Sequence, residues 1–139
     1  MTIRILLADD HASMRKSLHA LIDSDPGMKV VAEAHDGQSA LQLAGDFKPD
    51  VVVMDTNMPD VKGIDAVRCI TDSAPGAKLL VLSMYSNPEF VDGMLKAGAC
   101  GYLLKDHAFE ELVRAIQTVA DDRIYLCPGI EDQASPESG

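Results

Sequence analysis

The chain contains no tryptophan and only three tyrosines and three phenylalanines in 139 residues. A core must therefore be built from aliphatic side chains, and a hydrophobic fraction of 47% is ample for one. Cysteine is equally sparse. Cys69, Cys100 and Cys127 are odd in number, far apart and include no CxxC, which excludes a disulfide framework and a spaced zinc site. Each is expected to be a small buried or half-buried thiol. No apolar run approaches the ~20 residues that span a bilayer. Met1-Thr2-Ile3-Arg4 leads straight into strand-like sequence without a signal-peptide pattern. A cytoplasmic location and no membrane association are expected. Basic residues are few, 12 Lys and Arg against 22 Asp and Glu, for a net charge of −10. That balance argues against direct binding to nucleic acid or anionic lipid, which both need basic surface.

What is present is a strict alternation. Five short apolar runs read as strands: Ile3–Leu7, Lys29–Ala34, Val51–Met54, Lys78–Leu82 and Gly101–Leu104. Between them lie stripes at helical spacing, such as Met14, Leu18, Leu21, Ile22 and Leu112, Val113, Ile116, Val119. Breakers fall where helices should stop, at Asp25-Pro26-Gly27, Lys48-Pro49-Asp50, Ala74-Pro75-Gly76 and Ala97-Gly98. Strands apolar on both faces and separated by helices predict an α/β fold, a parallel sheet covered on both sides. The length suits one domain, taken as residues 1–122. The remainder, 123–139, reads as a short apolar stub (Ile124-Tyr125-Leu126-Cys127-Pro128) and a polar Ser-, Pro- and Glu-containing linker.

Polar residues follow four of the five strands at once. Asp9-Asp10 succeeds the first, Asp55 the third, Ser83 the fourth and Lys105 the fifth. In an open parallel sheet these ends share one edge, where ligands bind. The first loop, Ala8-Asp9-Asp10-His11-Ala12-Ser13, has no glycine and two negative charges, so it would repel a bare phosphate. It suits a hard divalent cation that takes oxygen ligands and bridges to a phosphoryl group. Taken alone, Asp9-Asp10 also fits a helix cap. With Asp55 added, the set reads as a carboxylate nucleophile able to form an aspartyl-phosphate, with metal and Lys105 neutralising the entering oxygens.

These residues carry a family resemblance. The chain resembles the receiver domain of two-component response regulators, the CheY-like family, over roughly Thr2 to Val119. The motifs are Asp9-Asp10, Asp55-Thr56-Asn57-Met58-Pro59 with Gly63, Leu82-Ser83, and Lys96-Ala97-Gly98-Ala99-Cys100-Gly101-Tyr102-Leu103-Leu104-Lys105. The resemblance implies a flavodoxin-like doubly wound sheet of five strands in the order 2-1-3-4-5. It implies Asp55 as phospho-acceptor and Mg2+ held by Asp10, Asp55 and the backbone carbonyl of Asn57, with Asp9 acting mainly through bound water. Lys105 would pair with the acceptor carboxylate and then with its phosphate. Ser83 would be the switch hydroxyl, and Tyr102 the aromatic switch whose ring turns inward as Ser83 moves. A sensor histidine kinase is the implied partner. Such a protein is no enzyme beyond supporting its own phosphorylation and autodephosphorylation.

Asp106 after Lys105, Met84-Tyr85 after Ser83, and the stub at 123–128 are most similar to the NarL/FixJ-like subfamily with LuxR-type output domains. The expectation is a receiver fragment of a transcription regulator that can form a homodimer. A stand-alone receiver acting as adaptor or phosphorelay intermediate is the alternative. An aspartyl-phosphate phosphatase of the haloacid-dehalogenase type would want an aspartate where Asn57 stands. A flavin-binding module would need a different first loop. Ala108 opens the last helix where Ser, Thr or Asp is usual, a substitution that typically costs ~1 kcal/mol. His11, His19, His35 and His107 read as surface or loop residues.

Overall fold

The computed structural model describes residues 2–56, 58 and 63–128. Six parallel strands form one sheet: β1 (Ile3–Ala8), β2 (Met28–Ala34), β3 (Val51–Asp55), β4 (Lys78–Ser83), β5 (Gly101–Leu104) and β6 (Tyr125–Leu126). Their order is 2-1-3-4-5-6. Helices α1 (Ala12–Asp23), α2 (Gly37–Phe47), α3 (Gly63–Ser73), α4 (Pro88–Ala97) and α5 (Ala108–Ala120) fill the connections. The doubly wound α/β fold is the expected one, and so is the order of its first five strands.

The central strands β1, β3 and β4 bury Leu6, Val52, Val53 and Leu80 completely, because helices cover both faces. The helical stripes supply the matching layers. Leu18 and Ile22 of α1, Val67 and Ile70 of α3, and Leu112, Ile116 and Val119 of α5 are all in the core. Fully burying each such side chain stabilises the fold by about 1.5–3 kcal/mol.

The sixth strand was not expected. The stub after α5 returns to the open edge of β5, where Tyr125 N–H donates to Cys100 O (3.0 Å) and Cys127 N–H to Tyr102 O (3.1 Å). Its alternation explains the docking: Tyr125 and Cys127 point inward and are buried, whereas Ile124 remains 67% exposed. Pairing also satisfies backbone groups that an edge strand leaves open. Gly101 makes the close approach possible. A Cβ there would stand 2.8 Å from Leu80 Cδ1, 3.0 Å from Val119 Cγ1 and 3.2 Å from Tyr125 Cβ.

Two local expectations also change. Cys127 is buried and Cys100 half-buried, but Cys69 is exposed on the outer face of α3. The start of α5 carries no side-chain cap; a single 3-10 turn, Lys105–His107, leads into it instead. Ala108 itself is fully buried, so a small apolar residue serves packing where a polar cap would be desolvated.

Candidate functional site

Register brings the polar strand ends together. Ala8 pairs with Met54, so Asp9 and Asp55 occupy the next step of β1 and β3. Asp55 in turn pairs with Leu82, and Ser83 with Leu104, so Ser83 and Lys105 follow at the same edge. Asp9 N–H still donates to Ala34 O (3.0 Å) and Thr56 N–H to Leu82 O (3.0 Å), which extends strand order into the loops. The side chains therefore hang on backbone that the sheet fixes.

Asp9, Asp55 and Ser83 are buried, the only polar or charged residues so deeply enclosed among those described. Lys105 Nζ donates to Asp55 Oδ2 at 2.8 Å. Ligand atoms of Asp9, Asp10, His11 and Asp55 all lie within 4.8 Å of one another. One Asp9 oxygen, Oδ1, accepts the backbone N–H of His11 (2.8 Å). The other, Oδ2, and Asp10 Oδ1 are buried without a hydrogen-bond partner. Burial first, and then the neighbouring Asp55 charge, push the Asp9 carboxyl above its ordinary range; the His11 N–H and the Lys105 ammonium pull the other way. Two orphaned buried carboxylate oxygens beside a third carboxylate are the donor set of a hard divalent cation. The residues fit such an ion. Asn57, whose main-chain carbonyl the resemblance adds to that set, lies outside the described residues, as does Pro59.

The first loop is braced from behind. Arg15 Nη1 donates to Asp9 O (2.6 Å), and its Nε donates to Glu33 Oε1 (2.9 Å). His19 bridges Glu33 and Asp23, the latter at 2.9 Å. Glu33's hydrogen bond, with both carboxylate charges, raises the His19 pKa against the pull of burial. Burial would raise the Glu33 pKa, but bonds from His19 and Arg15 outweigh it and hold that carboxyl low. Reading Arg15 and His19 from sequence would have needed the α1–β2 packing. His11 does carry a local signal, its adjacency to Asp9-Asp10.

On the far side of the site, Ser83 Oγ accepts the N–H of Tyr85 (3.0 Å), and Tyr102 Oη donates to Tyr85 O (2.7 Å). Tyr102 is fully buried. Its ring already faces inward, with Phe90 edge-on at 6.3 Å and 85°. Phe90 also meets Tyr85 edge-on at 5.5 Å. Burial pushes the Tyr102 phenol up to about 12, with the Ser83 hydroxyl acting in the opposite direction. Met84 and Tyr85 beside this lock are exposed, at 69% and 55%.

A six-stranded open sheet with an acidic cluster, a half-buried Asp–Lys pair and a Ser–Tyr lock at its carboxyl edge defines a class of signalling domain. Residues 5–117 match the response regulator receiver domain, and the chain belongs to that family. It is 38% identical over 128 residues to the transcriptional regulatory protein DegU of Brevibacillus brevis, covering 92% of this chain and 54% of DegU. A solved LuxR-family two-component response regulator from Aurantimonas sp. SI85-9A1 superposes with a TM-score of 0.93 at 37% identity, over 99% of both chains. The response regulator domain of Thermotoga maritima CheB gives a TM-score of 0.81 at 33% identity, over 87% of this chain and 98% of that one. The chain spans 54–64% of the length of the first curated relatives it matches. Among the described residues, no helix is long and apolar enough to cross a membrane.

Proposed function

We propose that this domain is a phosphorylation-dependent switch in which Asp55 accepts a phosphoryl group from a sensor histidine kinase. One Asp55 oxygen forms the new O–P bond as the donor's P–N bond breaks. Lys105, 2.8 Å from Asp55, then transfers its pairing to the phosphoryl oxygens. Mg2+ held by Asp9, Asp10 and Asp55, with the Asn57 carbonyl, would neutralise charge on the phosphoryl group. The observation that carries this reading is the pairing of buried Asp55 with half-buried Lys105, set against two unpartnered carboxylate oxygens. A purely structural ion pair would not retain orphaned acceptors beside it.

Ser83 supplies the response. Its hydroxyl is engaged by the Tyr85 backbone, and drawing it toward a phosphoryl group releases that N–H. Tyr85 O also receives the Tyr102 hydroxyl, so the β4–α4 loop and the β5 aromatic respond together. A phosphoryl group shifts such an equilibrium only through stronger contacts in one state, and Ser83 and Lys105 provide them. The readout is the exposed surface around Met84 and Tyr85, extending over α4, β5 and α5.

Residues 1–122 form the receiver in this reading, and 123–139, which include the strand β6 docked on its sheet, connect it to a LuxR-type DNA-binding domain, in a cytoplasmic transcription regulator that dimerises. Slow hydrolysis of its own aspartyl-phosphate is the only catalysis expected. Intact-mass spectrometry after incubation with acetyl phosphate and Mg2+ tests the reading. Wild type should gain one phosphoryl group and Asp55→Ala none. No adduct on wild type, or an undiminished one on Asp55→Ala, overturns it.

A further inference from the structure

His11 stands at the acidic cluster in a way that the switch does not require. Its Nδ1 lies 3.1 Å from Asp10 Oδ1, 3.3 Å from Asp9 Oδ1 and 4.0 Å from Asp55 Oδ2. Despite the 3.1 Å approach, Asp10 Oδ1 has no hydrogen-bond partner. The nitrogen is close to the oxygen without the alignment a hydrogen bond demands. Donors that converge on a shared centre, instead of on each other, have this relation. The distances agree. Ligands about 2.1 Å from one ion stand about 3.0 Å apart at right angles, about 3.4 Å apart at tetrahedral angles and about 4.2 Å apart when opposed. A second observation points to a cation in the same cluster: Asp9 is completely buried, yet its Oδ2, the oxygen not engaged by His11, has no partner.

We propose that His11 Nδ1 is a further ligand of this cation site, so that the site takes a first-row transition dication such as Ni2+ or Co2+ in preference to Mg2+. The proposal rests on reading Asp9, Asp10 and Asp55 as a cation site. Mg2+ takes oxygen donors and surrenders its waters reluctantly, so an imidazole gives it little. Imidazole suits the later transition metals, whose affinity for a given donor set rises from Mn2+ through Co2+ to Ni2+. His11 is more than half exposed, so its ring can close on an ion without disturbing the core. Asp10, 27% exposed on the same loop, is placed to move with it.

The test is isothermal titration calorimetry of tag-free protein with Mg2+ and separately with Ni2+, at neutral pH, on wild type, His11→Ala and Asp10→Asn. The wild type should bind Ni2+ more tightly than Mg2+. His11→Ala should lose about tenfold or more in Ni2+ affinity and leave Mg2+ affinity in place. Asp10→Asn should weaken both. The visible spectrum of bound Co2+ should change in His11→Ala, which reports a lost nitrogen ligand directly. If His11→Ala leaves both affinities unchanged, or moves both by one factor as a competing imidazolium would, the proposal is overturned. Ni2+ binding that survives Asp10→Asn lies elsewhere on the chain and also overturns it. Mg2+ binding untouched by Asp10→Asn has a different meaning: the acidic cluster is then not the cation site, and the underlying reading falls first.

Discussion

Replacing Asp9 with asparagine should stabilise this domain in the absence of a divalent cation. Asp9 is fully buried, and ligand atoms of Asp10 and Asp55 lie within 4.8 Å. Two unit charges at that separation repel by about 3.5 kcal/mol at an effective dielectric constant of about 20. Lys105, 2.8 Å from Asp55, offsets most of the Asp55 contribution, so desolvation of the buried Asp9 carboxylate is the main cost that asparagine removes. Asparagine keeps an acceptor for the His11 N–H but forfeits part of the attraction to Lys105. A net gain of about 2 kcal/mol follows, or about 7 °C in Tm for a domain of this size. Differential scanning calorimetry in EDTA measures it directly.

The sign with pH can be checked as well. A carboxyl raised above its ordinary value binds its proton more tightly in the folded state. Its cost is therefore absent well below 3.8 and develops as pH rises through the raised value. The gap between Asp9→Asn and wild type should open over that window. Saturating Mg2+ should narrow it, since a ligand at a hundredfold excess over Kd stabilises wild type by about 2.7 kcal/mol. An Asp9→Asn variant no more stable than wild type in EDTA, or equally responsive to Mg2+, would refute the reasoning.

Other perturbations test the supports. His19 is held protonated by Glu33 and Asp23, so its contribution is complete below pH 6.5 and is lost as pH rises through its raised value; thermal melts should show wild type losing more Tm over that range than His19→Gln. Tyr102→Phe removes the bond to Tyr85 O and should cost about 1 kcal/mol in urea unfolding, against about 3–5 kcal/mol for Tyr102→Ala. Gly101→Ala forces a methyl into Leu80, Val119 and Tyr125 and should cost about 1–3 kcal/mol, lowering the urea midpoint with an unchanged slope.

The fold was legible because its signals are local. Apolar runs such as Val51–Met54 and stripes such as Leu112, Ile116 and Val119 need no distant partner to be recognised. The juxtaposition at the carboxyl edge was legible too, since parallel strands of similar length put Asp9, Asp55, Ser83 and Lys105 in register. What escaped depends on tertiary contacts. Tyr125–Leu126 is too short to read as a strand until the open edge of β5 is present. Ala108 looks like a missing cap until it is seen buried. His19 reads as a surface or loop residue because Glu33 lies 14 positions beyond it; His11 is the exposed loop residue expected, but Asp55, 44 positions on, joins the adjacent Asp9 and Asp10 around it. For Tyr102 the sequence does not fix where the ring rests before any switch; the structure buries it. Its inward ring follows from the acceptor that Tyr85 O presents.

The measurement closest to the central claim is residue-level mapping of the phosphoryl group after reaction with a phosphodonor and Mg2+. Borohydride trapping followed by peptide mass spectrometry should place the modification on Asp55 alone, and Lys105→Ala should slow its appearance. A modification on Asp9, Asp10 or a histidine, or none at all with Mg2+ saturating, would contradict the account.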